Sequence, residues 1–150
     1  MADHSEDRLS SRAKDLVWHA HLARHAHMVA ELDYLRAVLR LAEEDLPLAQ
    51  IAKPLHMSAF EVEMSFVQAA DVTPVREGFA GASPYELCQR FATGELTRAE
   101  LVGQLVQWSD GEDRALDEVR DHVELAFTHG LLDDSTHAAI RAAIWPTSTY

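Results

Sequence analysis

Helix start and stop signals recur along almost the whole chain, and no segment alternates β-branched and polar residues as a strand does. Residues 83–86 (Ser-Pro-Tyr-Glu) combine an N-cap, a proline suited to the first helical turn and a glutamate three residues after the cap. Residues 97–100 (Thr-Arg-Ala-Glu) form a second capping box, and Gly94 and Gly130 follow helical segments as left-handed C-caps would. The chain is therefore predicted to be all-α.

The order of these signals predicts two helical parts joined by a short connection. Residues 1–72 are predicted to contain a long first helix, from about Ser11 to Glu43, followed by two short helices. Residues 73–82 are rich in proline and glycine and are predicted to be a linker. Residues 83–150 are predicted to form a C-terminal bundle of two helical hairpins.

The charge balance is strongly acidic. The formal net charge is −12, from 13 basic and 25 acidic residues, and such a surface favours basic partners and repels nucleic acid. The single cysteine, Cys88, excludes an intramolecular disulfide. Charged residues interrupt every apolar run before it reaches the length of a membrane span, and the first seven residues lack the features of a secretory signal. We therefore expect a cytoplasmic protein.

Residues 48–67 contain apolar residues at the spacing of two packed helices, namely Ile51, Leu55, Met57 and Val62. Ala52 supplies a small residue where two helices could approach closely, and Ser58 is placed to cap the second helix. This stretch resembles the helix-turn-helix of bacterial regulators and sigma factors. The resemblance implies that the second helix reads the major groove of DNA.

Three residues depart from that pattern: His56 stands in place of the usual turn glycine, Pro54 lies late in the first helix, and Ser65 occupies a normally apolar position. In addition, no arginine or lysine occurs between Pro54 and Thr73, whereas DNA readers neutralise phosphates with such side chains. A DNA-binding transcription regulator that uses residues 47–70 is therefore an alternative that the charges disfavour. A helix-turn-helix shape used for protein contact fits the charges better.

The predicted partner-binding residues are Phe60, Glu61, Glu63, Met64, Tyr85 and Trp108. Phe60 is the sharpest of these predictions, because the motif points its position outwards, where a large apolar group needs a partner. For Trp108, core packing between hairpins is an equally good interpretation.

Residues 92–100 read Ala-Thr-Gly-Glu-Leu-Thr-Arg-Ala-Glu. They resemble the short helical-hairpin motif of some bacterial antitoxins, which read Gly-Glu-Ile/Leu-Thr-x-x-Glu. The resemblance implies a non-enzymatic protein that binds and neutralises or regulates a basic, toxin-like partner protein. A phage-type or structural adaptor is a further alternative. The sequence lacks glycine-rich phosphate loops and the common catalytic motifs, so we expect neither an enzyme nor a cofactor.

The long first helix carries an apolar stripe at helical spacing, formed by Met28, Leu32, Leu35 and Leu39. A protein this small has little internal core to cover such a stripe, so we expect a homodimer interface or a docking face there.

His21 and His25 lie on one face of the same helix and are weak candidates for metal ligands. The neighbouring His19 and His27 point away from His21 at 100° per residue, so one straight helix cannot complete a four-ligand site. No metal site is therefore predicted. We expect instead that these histidines are partly buried and sensitive to pH.

Overall fold

The computed structural model describes residues 10–112 and 114–145; the acidic N-terminal segment and Pro146 lie outside this range. The described residues form seven helices and no strand, which confirms the all-α prediction. The helices are α1 (Ser11–Ala42), α2 (Leu48–Leu55), α3 (Ala59–Ala69), α4 (Pro84–Ala92), α5 (Arg98–Ser109), α6 (Ala115–Thr128) and α7 (Asp134–Ile144). No helix in the described part combines the length and apolar character that a membrane span needs.

The first helix is a single uninterrupted element of 32 residues, about 48 Å long at 1.5 Å per residue. Ser10 caps its N-terminus by accepting a hydrogen bond from the backbone N–H of Ala13 at 3.1 Å. Beyond its C-terminus, Asp45 adopts a positive φ of 54°, and Pro47 precedes α2. Because α1 contacts both α3 and α4, it connects the N-terminal helices to the rest of the molecule.

The helix ends follow the capping chemistry of the sequence. Ser83 accepts a hydrogen bond from the backbone N–H of Glu86, and Thr97 forms a reciprocal capping box with Glu100. Gly94 and Gly130 have φ values of 89° and 75° and end α4 and α6 in the predicted left-handed conformation. These local signals are confirmed.

In the described part of the chain, most of the buried apolar residues fall into one large cluster and two small ones. The large cluster lies between α4, α5, α6 and α7, where residues such as Leu87, Leu101, Val123 and Ile140 are fully buried. The small clusters lie where α3 packs against α1 and against α2. Most of the apolar burial that stabilises the fold is thus in the C-terminal bundle.

Residues 73–82, predicted to be a linker, run between α3 and α4 with several fixed contacts. The backbone N–H of Ala80 donates to Oε1 of Gln104 at 2.8 Å, and Phe79 packs against the large apolar cluster. Gly81 is buried, and a Cβ at this position would lie 2.7 Å from Oε2 of Glu86. Glycine is therefore required there because the backbone approaches a buried carboxylate.

That carboxylate is the centre of a buried ionic network between α1 and α4. Arg36 donates two hydrogen bonds to Glu86, at 2.8 and 2.7 Å, and Arg90 donates a third at 3.0 Å. Arg90 also pairs with Asp33 at 2.8 Å and with Glu95 at 2.6 Å. Such bidentate, charge-assisted pairs offset the cost of removing the charges from water.

The network holds Glu86 in its ionised form. Burial by itself raises the pKa of Glu86, but hydrogen bonds from Arg36, from the backbone N–H of Ala82 and from Arg90 outweigh burial and lower the pKa below its usual value of 4.5. The carboxylate is therefore charged throughout the neutral range.

Replacing this carboxylate should destabilise the protein strongly. We expect Glu86→Gln to lower the free energy of unfolding at pH 7 by about 3–5 kcal/mol, because two arginines then remain buried without their counter-charge. Since the folded pKa lies below the unfolded one, this stabilisation is present above about pH 4.5 and is lost as pH falls through the folded pKa. Urea denaturation should therefore show that the free energies of unfolding of the variant and the wild type come closer together below pH 4.5.

The matched control is Glu124→Gln, which removes the exposed half of an ion pair with His137. That change should cost about 1 kcal/mol or less. Equal losses in the two variants at pH 7 would contradict the structural role assigned to Glu86.

Candidate functional site

Helices α2 and α3 are joined by a three-residue turn whose geometry explains one departure from the helix-turn-helix pattern. His56 adopts the left-handed conformation, with φ 55° and ψ 41°, that glycine usually provides in this turn. Ser58 then caps α3 by accepting a hydrogen bond from the backbone N–H of Glu61 at 3.1 Å. Ile51 and Val62 are buried between the two helices, whereas Leu55, assigned to an apolar position of the motif, is exposed.

The structure also accounts for Ser65, the polar residue at a normally apolar position of the motif. It is buried where α3 packs on α1, and its hydroxyl lies 3.0 Å from the hydroxyl of Tyr34 and 3.0 Å from the carbonyl oxygen of Glu61, to which it donates. A polar residue is tolerated at this position because its hydrogen-bonding groups are satisfied inside the chain.

The opposite face of α3 carries an exposed apolar ridge formed by Phe60, Met64 and Val67, which are 69%, 41% and 58% exposed. Their spacing of four and then three residues places them on one side of the helix. Phe60 and Met64 were singled out from the sequence, and Phe60 points outwards as predicted. Val67 was missed, although its spacing from Phe60 and Met64 could have identified it.

Acidic side chains flank this ridge. Glu61 and Glu63 are both exposed on α3, on either side of Phe60 and Met64. The nearest cation before the ridge in the sequence is Lys53, and none follows until Arg76. The outward surface of α3 is therefore apolar at its centre and negative at its edges.

The other two aromatic residues predicted to contact a partner, Tyr85 and Trp108, do not lie on this ridge. Trp108 is only 3% exposed, within the large apolar cluster, where Phe79 packs against it with ring centroids 4.7 Å apart. The Arg76 guanidinium covers the indole at 4.4 Å. Trp108 thus offers almost no surface to a partner, in agreement with the core interpretation. Tyr85 is half-buried at the start of α4 and faces α1 and α6.

The apolar stripe predicted for an oligomer interface is partly occupied within the chain. Leu35 is buried and Leu39 half-buried, because α3 packs on this part of α1 through Ala69 and Phe66. Leu32 is half-buried and Met28 is exposed. Only the N-terminal end of the stripe therefore remains open to another molecule.

His21 and His25 do lie together, with ring centroids 4.6 Å apart, and the fold adds residues that the sequence analysis did not connect with them. Nε2 of His21 donates to the carbonyl oxygen of His129 at 2.7 Å, and Nδ1 of His129 lies 2.7 Å from the hydroxyl of Tyr85. Nδ1 of His25 lies 3.0 Å from Nε2 of Gln89. Within residues 10–112 and 114–145, no three histidine, cysteine or acidic side chains are placed to hold a metal ion.

The environment of His25 disfavours its charged form. Burial lowers the pKa of His25 most, and the neighbouring positive groups of His21, Arg24 and His129 lower the pKa further. His25 is consequently neutral in the folded protein at pH 7.

Comparison of the chain with known proteins found no matching family model, no matching curated protein and no matching solved structure.

The lowered pKa of His25 predicts that acid weakens the fold. The unfolded chain takes up a proton near pH 6.5, whereas the folded chain resists protonation, so stability should fall as pH decreases below about 6.5. His25→Gln keeps a hydrogen-bonding group near Gln89 and removes the titration. We expect its thermal stability to change less between pH 7 and pH 5 than that of the wild type.

His27→Gln is the matched control, because His27 is exposed on the same helix. It should retain the full pH dependence of the wild type. If His27→Gln flattens the profile as much as His25→Gln does, the pH dependence does not come from the buried histidine.

Proposed function

We propose that this protein is a cytoplasmic, non-enzymatic regulator that binds a basic partner protein through the exposed face of α3 and thereby neutralises or regulates it. The observation that carries the proposal is the ridge of Phe60, Met64 and Val67 with its acidic borders. A large aromatic side chain that is 69% exposed costs hydration free energy in the free protein, and a partner surface would recover it.

The spacing of the ridge suits one recognition mode. Apolar residues at positions i, i+4 and i+7 of a helix are the anchors that an apolar groove of a partner receives. The reverse face of α3 is held in place by Val62 and Ala69, which are buried. The ridge is therefore presented by a packed helix, so little ordering entropy would be lost on binding.

The acidic borders favour a basic partner. Glu61 and Glu63 would lie at the rim of such an interface, where charges mainly speed association and confer salt dependence. The net charge of −12 adds long-range attraction for a cationic protein. A toxin whose working surface binds nucleic acid or another polyanion has this chemistry.

The antitoxin-like stretch of residues 92–100 gives weaker support. Gly94, Thr97 and Glu100 each have a structural role there, because the glycine ends α4 and the other two form the capping box of α5. Their presence is thus explained by helix capping, and the proposal of an antitoxin or immunity type rests mainly on the α3 surface.

Truncating the side chains of the ridge should abolish binding of the partner protein. We expect wild-type protein to capture one or a few basic proteins from extracts of its native host, and Phe60→Ala and Met64→Ala to lose them. With the purified partner, Phe60→Ala should weaken binding by about 2 kcal/mol or more, as truncated aromatic anchors do. The thermal stability of the variant should stay close to that of the wild type, because Phe60 is mostly exposed.

Leu125→Ala is the matched control, since Leu125 is an exposed apolar residue on α6, away from α3. It should retain the partner. Capture of the same proteins by Phe60→Ala and by wild type would contradict the proposal. If light scattering shows that the ridge instead joins two copies of this chain, and Phe60→Ala yields monomers, the partner is the chain itself and the basic-partner proposal fails.

DNA binding is the alternative function, and the charges of α3 make it testable. Because no basic side chain lies on α3, we expect binding to random duplex DNA to be weaker than the usual non-specific range of about 10⁻⁴–10⁻⁶ M at physiological salt. A mobility-shift titration at two salt concentrations measures this. Micromolar binding with a steep salt dependence would favour a transcription regulator that uses residues 47–70.

A further inference from the structure

A second surface feature lies at the N-terminal half of α1, far along the helix from the α3 ridge. Here α1, the start of α4 and the end of α6 border an open pocket of about 310 Å³. Its lining residues are His21, Arg24, His25, Met28, Tyr85 and His129. Four of these six side chains are cationic or become so on protonation, and none is acidic.

The absence of carboxylates is unusual for this protein, in which acidic residues outnumber basic ones by 25 to 13. None of the ion pairs within residues 10–112 and 114–145 involves Arg24, His21, His25 or His129. The arginines that do pair, such as Arg36 and Arg90, have carboxylates within 3.0 Å. Arg24 and three histidines therefore share a pocket whose lining contains no carboxylate.

Hydrogen bonds keep these side chains close together. The carbonyl oxygen of His129 accepts a hydrogen bond from Nε2 of His21, so His21 carries a proton on that nitrogen. Tyr85 is held on both sides, because its hydroxyl contacts His129 and its backbone N–H donates to Nδ1 of His122. These contacts fix the positions of His129 and Tyr85 at the edge of the pocket.

We infer that this pocket binds the phosphate group of a small ligand, with Arg24 as the permanent cation and the ring nitrogens of His21 and His129 as further hydrogen-bond donors. A tetrahedral dianion would accept charge-assisted hydrogen bonds from the guanidinium and the imidazoles. The pocket volume exceeds that of a phosphate group alone, so part of a phosphate ester fits as well.

Binding should be linked to proton uptake. The titratable or charged groups around the pocket are His21, Arg24 and His25 on α1, Tyr85 and Cys88 on α4, His122 on α6, and His129 after it. Burial raises the pKa of Cys88 to about 12, so its thiol stays neutral. An anion stabilises imidazolium, and its affinity should therefore rise as pH falls from 8 to 6.

Calorimetric titration of the whole chain with sodium sulfate tests this inference, because sulfate stays a dianion across that pH range. At constant ionic strength, we expect saturable binding that is about fivefold or more tighter at pH 6 than at pH 8. Arg24→Gln should weaken binding at pH 6 about tenfold. Arg12→Gln, which changes an exposed arginine three turns earlier on α1, should leave the affinity unchanged.

Two further measurements on the wild-type protein test anion binding without using any variant. In the wild type, sulfate should shift the imidazole NMR signals of His21, His25 and His129 with one common dissociation constant, and leave that of His56 unmoved. Titrations with inorganic phosphate and with ribose 5-phosphate then distinguish a free anion from a phosphate ester, and binding of either supports the site. Unsaturable heats, or equal weakening by Arg12→Gln and Arg24→Gln, would overturn the inference in favour of general surface attraction.

Discussion

The arrangement of this protein depends on one buried carboxylate. Glu86 receives hydrogen bonds from Arg36 of α1 and from Arg90 on its own helix, and the bonds from Arg36 join the long helix to the C-terminal bundle. Arg90 adds a second link between α1 and α4 by pairing with Asp33. The apolar clusters on α1 are small, so polar contacts do much to fix its position along α4. Buried ion pairs add little net stability over an apolar contact but have strict geometry. The pairing therefore acts chiefly to specify where α1 lies.

Local chemistry made the helices predictable from the sequence. The capping box at Thr97 and Glu100 and the glycine at 94 act within a few residues, so their outcome does not depend on the rest of the fold. The ionic network could not be predicted in this way, because Arg36 and Glu86 are 50 residues apart. In the sequence, each of them is indistinguishable from a solvated charge on a helix surface.

The candidate site was predictable in part for the same reason. Phe60 was placed outwards because the helix-turn-helix spacing sets the register of the residues after Ser58. For Leu35 and Trp108, the sequence could not decide between core and interface, because an apolar residue on an amphipathic helix satisfies either role. In the structure, Leu35 is buried by contacts with α3, and Trp108 is buried by packing within the C-terminal bundle.

The histidines of α1 show how tertiary contacts change the meaning of a local pattern. Helical geometry alone excludes a metal site built from α1, and it says nothing about His129, which lies 108 residues from His21 in the chain. Once the fold adds His129 and Tyr85, the same histidines line one pocket together with Arg24. His25 and Leu35 are ten residues apart on α1, about 15 Å along its axis, so the pocket and the α3 packing site are separate. Both sites nevertheless lie on one continuous helix, and Glu86 holds that helix next to the α3 packing site through Arg36. Any movement of α1 that a ligand in the pocket caused would therefore act against this ionic network.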